Sequence, residues 1–242
     1  MQFILSNLKT SKGKLLRRFR DGESRYDGYL FDYSSIAVAC LELYEATYDV
    51  KHILEARSLM KTVEEKFISE GAYHETAVDG ENLIVRQISG YDGVEPSGNS
   101  NASLAFLKLG VYLEEASLIK CAEKIFLAFH EELAEYGMNS SFMMQALHLY
   151  LGGLKEVVII GKRNDPPTKE MLKVIRSGFF PNAVFAFSYE DEMVKNSATL
   201  PLLAGKTLKN SEVTAYVCKL GTCLPPVNST EELVNLLKYE EN

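Results

Sequence analysis

Between Tyr29 and Thr47 apolar residues run all round the helical wheel. Leu30, Ile36, Val38, Leu41 and Leu43 are spread over it and only Asp32, Glu42 and Glu45 are charged, a pattern that predicts a buried helix. The next stretch, Val50 to Ser69, is amphipathic instead. Ile53, Ala56, Met60, Val63 and Phe67 form one stripe, opposed by Lys51, Glu55, Lys61 and Glu65, which predicts an outer helix. The pair then recurs. Asn99 to Leu113 is apolar apart from Lys108, and Glu115 to Tyr136 places Leu118, Ala122, Ile125, Phe129 and Leu133 on one face. Buried and amphipathic helices in alternation, joined by turns as short as Tyr48-Asp49, are what concentric helical layers require. A further helix, Ser141 to Leu151, ends at Gly152-Gly153.

Two segments break the helical period. Between the helix pairs, AYHET and ENLIVRQ flank Val78-Asp79-Gly80 and predict a β-hairpin within the connection from Glu70 to Gly98, which serves either a functional role or as a flap over a helix end. After Lys155 the order is strand (EVVIIG), helix (Thr168 to Ser177), strand (AVFAFS), the signature of a right-handed parallel βαβ unit. VTAYVC is a third strand, and Ser229-Thr230-Glu231-Glu232 opens a last helix with a capping signal. The expected fold is mainly α: a partial (α/α) toroid of inner and outer helices with an inserted β-hairpin over residues 1–154, and a small C-terminal α/β appendage over residues 155–242.

Composition narrows the function classes. Hydrophobic residues make up 46% and charged residues 24% of the 242, as in ordinary globular proteins. A net charge of -7, with one short basic run from Lys12 to Arg20, opposes the phosphate neutralisation that nucleic-acid binding needs. No apolar run approaches the length of a membrane span and the N-terminus lacks a signal-peptide pattern, so no membrane partner is expected and the cytoplasm is the expected compartment. Among four cysteines, Cys218 and Cys223 have neither redox nor zinc-site spacing, and a structural role is their default.

The densest polar constellation is YDGVEPSGNS, which leads into the second buried helix. Ser97 and Asn99 suit capping, whereas Asp92 and Glu95 have the chemistry to bind a hydroxylated ligand or to exchange protons. Solvated turn acids favoured by the helix dipole are the plainer explanation. Asp32 and Tyr33 occupy the matching place at the first buried helix, so both helix entrances would open on one cavity. Arg86 in the ENLIVRQ segment would clamp a carboxylate or face solvent, and His74 would move protons or sit as a surface histidine. His148 stands alone without metal-ligand spacing, so neither a metal nor a cofactor is expected.

The segments RRFRDGES, GYLFDYSS, LELYEATYD, NLIVRQISGYDGVEPSGNS, EVVIIG and TAYVCKLGTCLPP, in this order, resemble the YyaL-like proteins, the family of the spermatogenesis-associated thioredoxin-domain proteins. The resemblance runs nearly end to end, and YDGVEPSGNS is its most specific part. It implies the later part of a protein built from a thioredoxin-like domain and an (α/α)6 toroid similar to the six-hairpin glycosidases and N-acylglucosamine 2-epimerases. The resemblance covers neither the thioredoxin-like segment nor the first hairpins, so no redox role is expected to transfer. Phe31 stands where the family commonly has the first of two aspartates.

Two functions follow as expectations. One is binding or modification of a sugar or other small hydroxylated ligand, with Asp32, Asp92 and Glu95 as catalytic acids or hydroxyl ligands and Tyr33, His74, Arg86, Ser97 and Asn99 binding substrate. The other is a non-catalytic subunit, a homodimer or the partner of a complementary N-terminal chain, since half a ring leaves apolar helix faces uncovered.

Overall fold

The computed structural model describes residues 1–219 and 221–238; Leu220, within the TAYVCKLGTCLPP segment, lies outside the described residues. A short helix α1 (Gln2–Asn7) precedes an antiparallel hairpin of β1 (Leu16–Arg20) and β2 (Glu23–Asp27). Its two-residue turn is Asp21-Gly22, both at positive φ, the backbone twist that short hairpins need.

The first helix pair is α2 (Leu30–Thr47) and α3 (Lys51–Lys66). Helix α2 starts with a capping box, in which the Tyr29 amide donates to Asp32 Oδ2 at 2.7 Å, and stops at Tyr48 with φ 56. Every residue of the α3 stripe, Ile53 to Phe67, is buried.

The second pair is α4 (Gly98–Tyr112) and α5 (Ala116–Ala128). The single helix expected from Glu115 to Tyr136 is in fact two, because the chain leaves helical geometry at Phe129 before α6 (His130–Tyr136). The break keeps Phe129 and Leu133 buried. A 3-10 turn, Gly137–Ser140, leads into α7 (Ser141–Gly152).

Helices α2 and α4 lie parallel and in step: Asn101 donates to Ser35, and Lys108 pairs with Glu42. At their N-termini the backbones nearly touch. A Cβ on Gly98 would stand 2.8 Å from Leu30 Cγ and 3.0 Å from the Phe31 amide, so only glycine admits this approach. Helix α4, packed by α2, α5 and α7, is buried on nearly every side.

The hairpin expected from AYHET and ENLIVRQ does not form as paired strands. Backbone groups of the first arm have other partners: Leu30 N donates to Glu75 O, His74 N donates to Phe67 O, and Asn99 holds Tyr73. A single backbone–backbone bond to the second arm among the described residues, from Glu75 N to Gln87 O, leaves Leu83, Ile84 and Val85 without a sheet to cover them.

The C-terminal unit holds β3 (Lys155–Gly161), α8 (Pro166–Ser177), β4 (Ala183–Tyr189), α9 (Met193–Thr199), β5 (Thr214–Lys219), β6 (Thr222–Cys223) and α10 (Thr230–Lys238). The sheet order is β4-β3-β5-β6, with β3 and β4 parallel and β5 antiparallel to β3. Val157 to Ile160 are fully buried, as strands covered on both faces are. Cys218 and Cys223 form a disulfide across β5 and β6. The core is continuous across residues 154 and 155, with Tyr112 of α4 donating to Phe185 O of β4 at 3.3 Å.

Candidate functional site

The two helix entrances do come together, yet the polar residues around them have distinct tasks. Asp92 accepts from the Ser97 amide at 2.7 Å and, through its other oxygen, from the Phe142 and Met143 amides at the start of α7. Its carboxylate is a cap supplied from a distant loop. Ser97 caps α4 by accepting the Ser100 amide at 3.0 Å. Asn99 accepts from Tyr73 N and donates to Tyr73 O and Ser89 O, so three of its hydrogen-bonding sites tie the long connection to α4.

His74 and Arg86 join the arms of that connection. His74 Nδ1 lies 3.1 Å from Arg86 O, while the Arg86 guanidinium donates to Thr76 O and, at 3.5 Å, to Lys66 O at the end of α3. A cation at a helix C-terminus is electrostatically favoured there. Tyr33 is buried, its hydroxyl accepting from Leu15 N at 2.9 Å and its pKa raised by burial. Glu95 is exposed, and its carboxylate has no hydrogen-bond partner among the described residues. Of the five expected cavity residues, Asp32, Tyr33, Arg86 and Asp92 are therefore each committed to a structural hydrogen bond.

Two of them stand behind a different opening. A cleft of about 460 Å³ separates the β1–β2 hairpin from the connection after α3, and Arg17, Tyr26, Asp27, Tyr29, Thr76 and Glu81 are among its walls. Asp32 lies 3.8 Å from Arg17 Nε, and Arg86 fixes the Thr76 carbonyl. The Arg17 guanidinium sits 4.1 Å from the Tyr29 ring centre. Lys14 pairs with Asp27 at 2.7 Å, and that hydrogen bond raises the lysine pKa.

Two features of this cleft are costly for folding alone. Thr76 is 8% exposed and its hydroxyl is buried without a partner among the described residues. Tyr26 holds φ 62, a left-handed conformation that bulky residues avoid, while its ring is exposed on the cleft wall. Sequence reasoning missed this cleft, although Asp21-Gly22 between two alternating segments was a readable hairpin signal.

It also missed two buried ionisable groups. Burial pushes the Glu75 carboxyl up to about 7. Lys108 Nζ lies 2.9 Å from Glu42 and 3.4 Å from Glu45, and the Tyr112 hydroxyl donates to Glu45 at 2.6 Å. Burial raises the Glu45 pKa against the opposing pull of Lys108, whose own pKa is raised by its two carboxylates in spite of burial. A lysine inside an otherwise apolar helix was the visible sign. Among the described residues, no group of three or more histidine, cysteine or acidic side chains is arranged to hold a metal, and no helix is long and apolar enough to cross a membrane.

No protein-family model matches the chain. Human spermatogenesis-associated protein 20 is 29% identical over 213 residues, covering 87% of this chain and 27% of that protein. The rat protein of the same name is 28% identical over 214 residues. An uncharacterized protein of Caenorhabditis elegans, B0495.5, is 25% identical over 216 residues, 89% of this chain and 29% of its own length. The chain is thus related to the spermatogenesis-associated family, spanning less than a third of the length of these relatives.

Proposed function

We propose that the chain binds a small polyhydroxylated ligand, of the sugar class, in the cleft between the β1–β2 hairpin and the connection after α3. The unpartnered Thr76 hydroxyl carries this reading, because a buried polar group without a partner needs one. The rest of the wall has matching chemistry. Arg17 donates, Asp27 and Glu81 accept, and the Tyr26 and Tyr29 rings offer flat apolar faces to the C–H side of a sugar ring. Asp32 and Arg86 position this wall rather than touching the ligand.

The test is a thermal-shift screen of mono- and disaccharides, followed by titration of any hit against Thr76→Val, Tyr26→Ala and Asp27→Asn. A sugar that binds the parent chain and loses about tenfold or more of its affinity in these variants, some 1.4 kcal/mol, supports the reading. Hits untouched by all three variants, or no hit at all, remove it.

A second reading, association with another copy of the chain, is favoured by one observation. Ile84 and Val94 are fully exposed and Leu83, Val85, Ile88 and Tyr91 are exposed beside them, an apolar surface on a connection anchored at both ends. Light scattering decides it. A dimer that becomes monomeric in Ile84→Asp/Val94→Asp supports association, and a monomeric parent chain removes it.

A further inference from the structure

At the other end of α2, roughly 27 Å from the cleft by helix length, lies a second cavity of about 280 Å³ between the helical layer and the α/β unit. Its walls include Tyr48 after α2, Lys169 and Arg176 of α8, Phe187 and Ser188 of β4, and Asn196 of α9. It adjoins the carboxyl end of β4, where open α/β sheets commonly receive ligands.

The neutral polar groups here are largely satisfied within the protein. Asn196 Nδ2 donates to Ser188 Oγ at 3.0 Å, and Ser188 Oγ donates to Tyr189 O at 3.0 Å. Glu192, the acid on the wall, is paired with Arg163 at 2.7 Å. What remains is a set of donors. Lys169 and Arg176, two turns apart on one face of α8, have no carboxylate partner among the described residues, and Arg176 makes one long bond, 3.4 Å, to Ala46 O. Tyr48 is 9% exposed, and its hydroxyl is buried with no hydrogen-bond partner among the described residues. The positive φ of Tyr48 is a conformation that bulky residues avoid.

We propose that this cavity binds a compact organic anion, a small molecule bearing a phosphate or carboxylate. Lys169 and Arg176 neutralise its charge, the Tyr48 hydroxyl donates to it, and Phe187 meets its apolar body. The carbonyl end of α2 opposes an anion, and Arg176, which already faces the Ala46 carbonyl, offsets it. The assignment is independent of the sugar reading, because the two cavities share no residue.

Calorimetric titration of the full chain with phenyl phosphate, benzoate and neutral benzyl alcohol tests it. One or both anions bind and the alcohol does not; binding of phenyl phosphate alone assigns phosphate, and of benzoate alone carboxylate. Lys169→Gln weakens binding about tenfold, as loss of a charge-assisted bond does. Arg176→Gln does the same, and Lys169→Gln carries the test if that variant fails to fold. Tyr48→Phe separates ligand binding from structure: it weakens binding several-fold while raising Tm by about 2–4 °C, because it removes an unsatisfied buried hydroxyl. No anion binding, equal binding of the alcohol, or binding unchanged in Lys169→Gln overturns the proposal.

Discussion

The Asp92 carboxylate accepts the Phe142 amide at 2.8 Å, so the first turn of α7 is closed by a side chain fifty residues upstream. The same carboxylate holds the Ser97 amide and thereby the entry to α4. Asp92→Ala is expected to cost about 2–4 kcal/mol, the sum of a lost cap and lost charge-assisted bonds, and Asp92→Asn about half as much. Exposed Glu95, three residues on, gives the contrast: Glu95→Gln stays within about 0.5 kcal/mol. Urea denaturation reads both. Equal effects at the two positions would remove the capping role of Asp92.

Asn99 distinguishes a structural amide from a ligand-binding one. Its Nδ2 donates to two carbonyls while its oxygen accepts one amide. Asn99→Ala leaves those groups unpaired and costs about 2–3 kcal/mol. Asn99→Asp is worse, because a carboxylate then faces the Tyr73 and Ser89 carbonyls. Limited proteolysis of both variants is expected to open the connection between residues 72 and 91 before the helices. A more stable aspartate than alanine variant would contradict this account.

These residues show what the sequence discloses. Helical period located α2, α3 and α4 to within a few residues, since a buried stripe such as Ile53 to Phe67 repeats regularly enough to be read locally, but it ran through the break at Phe129 that ends α5. The βαβ order was equally legible from continuous apolar strands. Polar residues were not, because their role depends on a partner distant in sequence. Asp92 reads as a turn acid until Phe142 is beside it, and Arg86 as a strand arginine until Thr76 O is within reach. The ENLIVRQ alternation has a strand period, but period does not reveal that the facing arm has its hydrogen bonds elsewhere.

Lys108 gives a double-variant prediction. Lys108→Met leaves the Glu45 carboxylate buried with only the Tyr112 hydroxyl, and about 3–5 kcal/mol of stability is lost at neutral pH. Adding Glu45→Leu removes the stranded charge and restores most of that loss. The single variant also recovers toward acid. A carboxyl whose folded pKa is raised contributes stability below its unfolded value and loses it as pH rises, and removal of Lys108 raises that pKa further. Denaturant midpoints from pH 4.5 to 8 report it. An additive double variant would show that Lys108 and Glu45 act independently.

Glu75 sets a pH dependence of its own. Its backbone receives the Leu30 amide at the start of α2, and burial raises its carboxyl from the ordinary 4.5 to about 7. The folded chain therefore holds this proton more tightly than the unfolded chain does. Stability linked to Glu75 is full below pH 4.5 and falls as pH rises through 7, by about 1–2 kcal/mol after allowance for the part of the group that solvent screens. Glu75→Gln keeps the shape without the charge. It is expected to match the parent chain near pH 5, to exceed it by that amount at pH 8, and to flatten the stability profile between them. A variant with the parent's slope would place the carboxyl in solvent and remove Glu75 as the origin of the pH dependence.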